Sequence, residues 1–137
     1  IGRKEADEVV EKSLKQSGLW NEVKDRLNDP ASRLSIGQLQ RLCIARTLAN
    51  GPEVLLMDEP CSALDPISTG KIEEMIMTLK QSLPVVIVTH NLAQARRISD
   101  FCLFLSDGVA LEQGSTEQIF SAPQQQQVYD FVSGKVG

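Results

Sequence analysis

Apolar residues recur at helical spacing through the first fifty positions and then condense into short unbroken runs. Ala6, Val9, Val10, Ser13 and Leu14 fall on one face at i, i+3, i+4, i+7 and i+8, with Lys4, Glu5, Glu8, Glu11, Lys12 and Lys15 opposite. This spacing predicts an amphipathic helix from residue 1 to about Gln16. Ser17-Gly18 ends it, with Gly18 suited to a left-handed cap. Leu19, Trp20, Val23 and Leu27 predict a second short helical stretch, in which Trp20 packs. After the turn Asn28-Asp29-Pro30, Leu34-Ser35 leads into a helix from about Gly37 to Ala49. Its expected apolar face is Leu39, Leu42, Cys43 and Leu48, with Ala45 and Ala49 allowing close approach. Asn50-Gly51-Pro52 stops it.

The period then changes. Val54 to Met57 is an apolar run bounded by a turn and by charge, and Val85 to Thr89 is another. Both read as buried strands, apolar on both faces and therefore parallel. Between them Pro66 and Ile67 open a helix with Ile72, Met75, Ile76, Leu79 and Leu83 along one side, and Pro84 ends it. Strand, helix, strand is a βαβ crossover, so the fold class is α/β. A short helix from Leu92 to about Ser99 follows. Phe101–Leu105 and Val109–Glu112 predict a hairpin across Ser106-Asp107-Gly108. Thr116 is the expected cap of a short helix through Phe120, and Pro123 the first turn of a final helix carrying Val128, Phe131 and Val132.

Composition narrows the function classes. With 137 residues, 42% hydrophobic and 23% charged, the chain can build one domain with a core, and with 4% aromatics that core is Leu, Ile and Val. A net charge of −4 argues against a dedicated nucleic-acid binder. Cys43, Cys61 and Cys102 are odd in number and far apart with no CxxC pair, which argues against a disulfide framework or zinc site and fits a reducing cytosol. No apolar run approaches the ~20 residues of a membrane helix, and no signal-peptide pattern opens the chain. A membrane role is therefore expected only through a partner.

The chemistry concentrates at two places. Asp58 and Glu59 end the first apolar run, and ligands bind at that edge of open α/β sheets. Adjacent carboxylates repel unless a cation intervenes, and Mg²⁺ suits oxygen ligands and phosphates. Successive strand residues point apart, so Asp58 can hold a metal or its water while Glu59 faces an attacking water. His90, the single histidine, ends the neighbouring run and can donate a hydrogen bond to a transferring phosphoryl group. Upstream, Ser35, Ile36 and Gly37 precede a helix, whose free N–H groups and dipole favour an anion. An ordinary N-cap by Ser35 accounts for the same residues. Asp65, just before Pro66, reads as the cap of the next helix.

Read together, these stretches resemble the ABC ATPase family. Leu34 to Gln38 resembles the ABC signature sequence, Val54 to Pro60 the Walker B motif, Ser62 to Asp65 the D-loop and His90 the switch histidine, all in the right order. Leu19 to Leu27, Arg41 to Arg46, Asp65 to Thr69 and the ending from Phe131 to Gly137 are closer still to the ATP-binding subunits of bacterial phosphate importers. The resemblance implies a partial P-loop NTPase core with parallel strands, plus part of the helical subdomain and a C-terminal β-hairpin and helices. Residues 1–50 would belong to the helical subdomain and 51–137 to the ATPase core. It implies ATP and Mg²⁺ as cofactors and two such subunits paired head to tail. Ser35, Gly37 and Gln38 would then contact ATP held by the opposite subunit. Asp58 would hold Mg²⁺ through water, Glu59 would polarise the attacking water, His90 would sense the γ-phosphate and Asp65 would link the sites. Implied partners are transmembrane permease subunits and, indirectly, an extracytoplasmic phosphate-binding protein, at the cytoplasmic face of the inner membrane, with no nucleic acid.

The chain departs from that pattern in four ways. Ile36 stands where the family usually has Gly, and strain is expected if the position needs φ > 0. Leu39 replaces a usually polar residue and Cys61 a usual Thr. No G-x-x-x-x-G-K-[ST] occurs, since Gly70-Lys71 and Gly134-Lys135 lack its other residues. The expectation is a C-terminal part of a longer subunit, inactive alone. Two other classes stay open: a non-transport ABC ATPase of DNA repair or translation, and a non-catalytic interaction piece.

Overall fold

The computed structural model describes residues 2–135 and divides into two compact units, Ile1–Val88 and Thr89–Gly137. In the first unit α1 (Arg3–Gln16), α2 (Trp20–Val23) and α3 (Ile36–Leu48) gather around Leu14, Leu19, Val23 and Ala45, with Trp20, Leu34 and Leu42 against them. Trp20 is a packing residue there, as its spacing implies. Gly18 turns the chain between α1 and α2 at φ 66°, so its amide and that of Leu19 bond back to Lys15 and Leu14 carbonyls. α2 is far shorter than the 19–27 stretch, and Leu27 is exposed, because only Leu19 and Val23 find the core. The buried stripe of α3 is Gly37, Arg41, Ile44, Ala45 and Leu48, with Cys43 and Ala49 exposed. The expected face is thus rotated toward Arg41, whose charge is matched from α2.

β1 (Leu55–Asp58) and β2 (Val85–Val88) pair in parallel, Leu55 with Val85 through Asp58 with Val88. α4 (Pro66–Leu79) crosses between them and buries Ile72, Met75, Ile76 and Leu79, the predicted face. The expectation that both strand faces are buried is not met. Leu55 and Met57 are buried, whereas Leu56 is 73% and Val88 56% exposed. Burial alternates along both strands, so the two faces of this two-stranded sheet are covered unequally among the described residues, while the sequence still carries the all-apolar pattern of a sheet covered on both sides.

In the second unit α5 (Leu92–Ile98) precedes an antiparallel hairpin, β3 (Phe101–Ser106) and β4 (Val109–Ser115). Asp107 at φ 50° and Gly108 at φ 78° form the two-residue turn that Asp-Gly predicts, and β4 runs three residues further than expected. α6 (Thr116–Ser121) is capped by Ser115 rather than Thr116, because Thr116 is drawn inward to bond the Ser99 carbonyl at 3.0 Å. α7 (Gln126–Val132) buries Val128 and begins after Gln125, three residues later than a Pro123 start. The amides of Gln124 and Gln125 instead donate to the Glu112 carboxylate at 2.8 and 3.0 Å.

Candidate functional site

The turn before α3 is built by reciprocal capping. The Ser35 hydroxyl accepts from the Gln38 N–H at 3.3 Å, and the Gln38 side-chain oxygen accepts from the Ser35 N–H at 3.0 Å. The Leu39 amide already closes on the Ser35 carbonyl. The first two helical amides, Ile36 and Gly37, therefore take no partner inside the helix, and the Ser35 hydroxyl keeps its own proton to donate. Ile36 has helical backbone and is 64% exposed, so the strain expected from its β-branch is absent. Any L residue can occupy the first position of a helix.

Gly37 is small for a different reason. A Cβ added there would lie 2.7 Å from Ser68 Oγ and 2.9 Å from Ser68 Cβ, so α3 and α4 approach through this glycine. Ser68 is itself fixed. Asp65 caps α4, accepting from the Ile67 and Ser68 amides at 3.0 and 2.9 Å and from the Ser68 hydroxyl at 2.6 Å. The Ser68 hydroxyl, with its amide, holds the Asp65 carboxyl below the usual carboxylate range. Gly37 and the Asp65 cap, distant in sequence, thus meet at one side chain.

The sequence reading missed the residue that ties this turn down. Glu22 of α2 receives Arg41 in a two-pronged pair, Nη1 to Oε1 at 2.9 Å and Nη2 to Oε2 at 3.0 Å. Its Oε2 also accepts from Gln38 Nε2 at 2.8 Å, and its Oε1 from Lys71 Nζ of α4 at 3.0 Å. Arg41 Nη1 makes a further bond to the Gly18 carbonyl at 2.7 Å, and its side chain is 5% exposed. The Arg41 hydrogen bonds, aided by those of Gln38 and Lys71 against the opposing effect of burial, lower the Glu22 carboxyl to about 2. The available signal was Arg41 itself: an arginine three positions after Gln38, on the stripe shared with Ile44 and Leu48, asks for a buried acid.

At the carboxyl end of β1, Asp58 is exposed and is the last residue in register with β2. Glu59 follows with φ 47°, a left-handed conformation that costs a non-glycine residue free energy. It is held there by its N–H bond to the Val88 carbonyl at 2.8 Å and by buried Pro60 behind it. The Ser62 amide and hydroxyl close on the Glu59 carbonyl at 3.2 and 3.1 Å, completing a tight turn. The strand direction breaks between the two acids, so they leave the sheet edge on different courses. His90 is exposed in the bend two residues beyond β2, at the head of the second unit. Among the described residues no group of three or more His, Cys, Asp or Glu converges as a metal site. A cation here would have one or two carboxylates from this chain and the rest of its shell from phosphate and water, which is the habit of Mg²⁺.

Comparison with known proteins places these features. Residues 2–62 match the family model described as ABC transporter. The chain is 58% identical over 135 residues to a phosphate import ATP-binding protein, PstB, of Borreliella burgdorferi, covering 98% of this chain and 52% of that protein. It is 57% identical over 131 residues to PstB 2 of Bacillus subtilis, covering 96% of this chain and 49% of that protein. The chain spans about half the length of the curated relatives it matches. Among solved structures, it is similar to a dimeric ATP-binding cassette in a post-hydrolysis state bound to ADP and Pi, with a TM-score of 0.70 and 31% identity over 85% of this chain and 49% of that one. It is also similar to cbiO1 from Clostridium perfringens, part of the ABC transporter complex cbiONQ, with a TM-score of 0.78 and 28% identity over 89% of this chain and 48% of that one. A capped turn before α3, a parallel strand ending in paired acids, and identity above one half along nearly the whole chain all agree: over the part that it spans, the chain is similar to ABC transporter ATP-binding proteins.

Proposed function

We propose that this chain supplies the signature turn and the catalytic carboxylates of the ATP-hydrolysing subunit of an importer for inorganic phosphate. The observation that carries the proposal is Glu59, held at φ 47° at the end of a parallel strand, in a chain that aligns over 98% of its length with phosphate import ATP-binding proteins. Glu59 accepts the proton of the attacking water, and its constrained backbone orients the carboxylate before substrate arrives. Asp58 is the residue that would hold Mg²⁺, through water. When bound, Mg²⁺ neutralises charge on the transferring phosphoryl group. His90 donates a hydrogen bond to the γ-phosphate.

Ser35, Gly37 and Gln38 serve nucleotide held by a second copy of the subunit, paired head to tail. The Ser35 hydroxyl and the Ile36 and Gly37 amides are donors at a helix N-terminus, where an anion is favoured. Gln38 contributes by fixing the shape of that turn. Asp65, packed through Ser68 against Gly37, links the signature turn to the segment that follows the carboxylates. The 137 residues contain no G-x-x-x-x-G-K-[ST] phosphate cradle, so they do not hydrolyse ATP by themselves and work with a cradle supplied by the longer subunit. No described helix is long and apolar enough to cross a membrane. Attachment to the cytoplasmic face of the inner membrane is through transmembrane permease subunits, which receive phosphate from an extracytoplasmic binding protein. The net charge of −4 is consistent with the absence of a nucleic-acid partner.

The test is reconstitution of the subunit with its permease in vesicles, with ATP inside and the phosphate-loaded binding protein outside. ATP turnover rising with phosphate, and phosphate accumulating in step with it, is the expected result. Turnover indifferent to phosphate but stimulated by another solute would overturn the substrate assignment.

A further inference from the structure

We infer that Glu22 is the positioning residue of the signature turn, holding the Gln38 carboxamide so that the turn keeps its donors presented. The argument begins with the two ends of one amide. Gln38 Oε1 is committed to the Ser35 N–H at 3.0 Å and Nε2 to Glu22 Oε2 at 2.8 Å. A carboxamide bonded at both ends has one orientation, and Glu22 supplies the charged, stronger end. With Gln38 so held, Ser35 stays in its capping conformation and Ile36 and Gly37 keep their amides outside the helical ladder.

Glu22 is in turn fixed by three elements. Arg41 grips both its oxygens from one turn further along α3, and the Gly18 carbonyl grips Arg41 from the α1–α2 connection. Lys71 reaches Oε1 from α4, the helix whose N-terminal Ser68 lies against Gly37. A shift of α4 relative to α3 is therefore felt twice at the signature turn, sterically at Gly37 and electrostatically at Glu22. The functional meaning of this hold rests on the ATPase reading above, but the hold itself does not.

Glu22→Gln separates positioning from mere scaffolding. It leaves a single acceptor oxygen, for which the Arg41 guanidinium outcompetes the neutral Gln38 amide. The helix contact survives while Gln38 is released. The measurement is nuclear magnetic resonance relaxation of the Gln38 side-chain amide in the 137-residue chain, with the Ala45 and Leu48 backbone amides as internal reference. The Gln38 order parameter should fall below about 0.6 in Glu22→Gln while the α3 backbone stays near about 0.85. Gln38 remaining as ordered as in the wild type, or loss of order shared along all of α3, would overturn the inference. If a variant does not fold, Lys71→Ala, which removes one donor and leaves the Glu22–Gln38 bond, is expected to leave Gln38 ordered, and its release there would equally count against Glu22 as the holder. In the longer subunit Glu22→Gln should lower kcat about tenfold with the KM for ATP changed less than about twofold, and Glu22→Asp should recover part of kcat. A rise in KM with kcat intact would contradict positioning of the transferring group. A wild-type subunit without ATPase activity would refute the proposed function and leave the relaxation result to stand alone.

Discussion

Removing the Glu22 carboxylate is the sharpest perturbation of stability that this structure offers. Glu22→Ala takes both prongs from Arg41, whose side chain is 5% exposed and keeps only the Gly18 carbonyl. Breaking a fully buried pair from one side costs about 3–5 kcal/mol. Glu22 itself is 29% exposed, so water can enter the vacated space and reach the guanidinium, which brings the expected loss to about 2–3 kcal/mol. Trp20 packs against the Leu14, Leu19, Val23 and Ala45 cluster of the first unit, so its fluorescence reports unfolding of that unit directly. In urea, with a slope of about 1 kcal/mol/M for a unit of this size, the midpoint should fall by about 2–3 M. The pH dependence supplies the second half of the test. The Glu22 carboxyl is lowered from 4.5 to about 2, so its contribution is complete above pH 4.5 and is lost as pH falls through about 2. The gap between wild type and Glu22→Ala should be constant from pH 5 to pH 8 and should narrow between pH 4.5 and pH 2. Glu22→Ala combined with Arg41→Met should be more stable than Glu22→Ala alone, because the apolar side chain leaves no charge buried. A loss under about 0.5 kcal/mol, or a gap that does not narrow in acid, would refute the reasoning.

Three further outcomes follow from local geometry. Gly37→Ala should destabilise by about 1–3 kcal/mol in thermal melts, since its methyl meets Ser68 Oγ at 2.7 Å, and Ser68→Gly should restore part of the loss. Glu59→Gly should be more stable than Glu59→Ala by about 1 kcal/mol in the same assay, because both lose the side chain and only glycine relieves the left-handed backbone, and both should abolish turnover in the longer subunit. Ile36→Gly should lower stability by about 0.5–1 kcal/mol, because Ile36 occupies an exposed helical position; an increase would restore the idea of strain there.

What was legible in the sequence was what local chemistry dictates. Asp65 before Pro66, Asp107-Gly108 and Gly18 each produced the cap or turn that their side chains require. The apolar runs at Val54 and Val85 fixed parallel strands and the helix between them. What was hidden depends on partners distant in the chain. Glu22 looks like one acid among many on a charged segment, and only the folded arrangement brings it Gln38, Arg41 and Lys71 together. The sequence places Gly37 at a helix N-terminus that favours an anion, and only the structure shows that its lack of a side chain admits Ser68. The apolar face expected for α3 leaves out Arg41, whose pairing with Glu22 makes it part of the buried stripe. Glu59 is a candidate by its type and place, and its left-handed backbone cannot be read from the residue name.

The central claim is that Glu59 is the base of an ATPase whose nucleotide is shared between two subunits. The direct measurement is ATP binding and single-turnover hydrolysis by the longer subunit with Glu59→Gln, side by side with the wild type. The predicted result is ATP binding retained and hydrolysis slowed by about 10²–10⁴-fold, with the paired, ATP-loaded form accumulating. Hydrolysis by Glu59→Gln within a few fold of wild type would contradict the account.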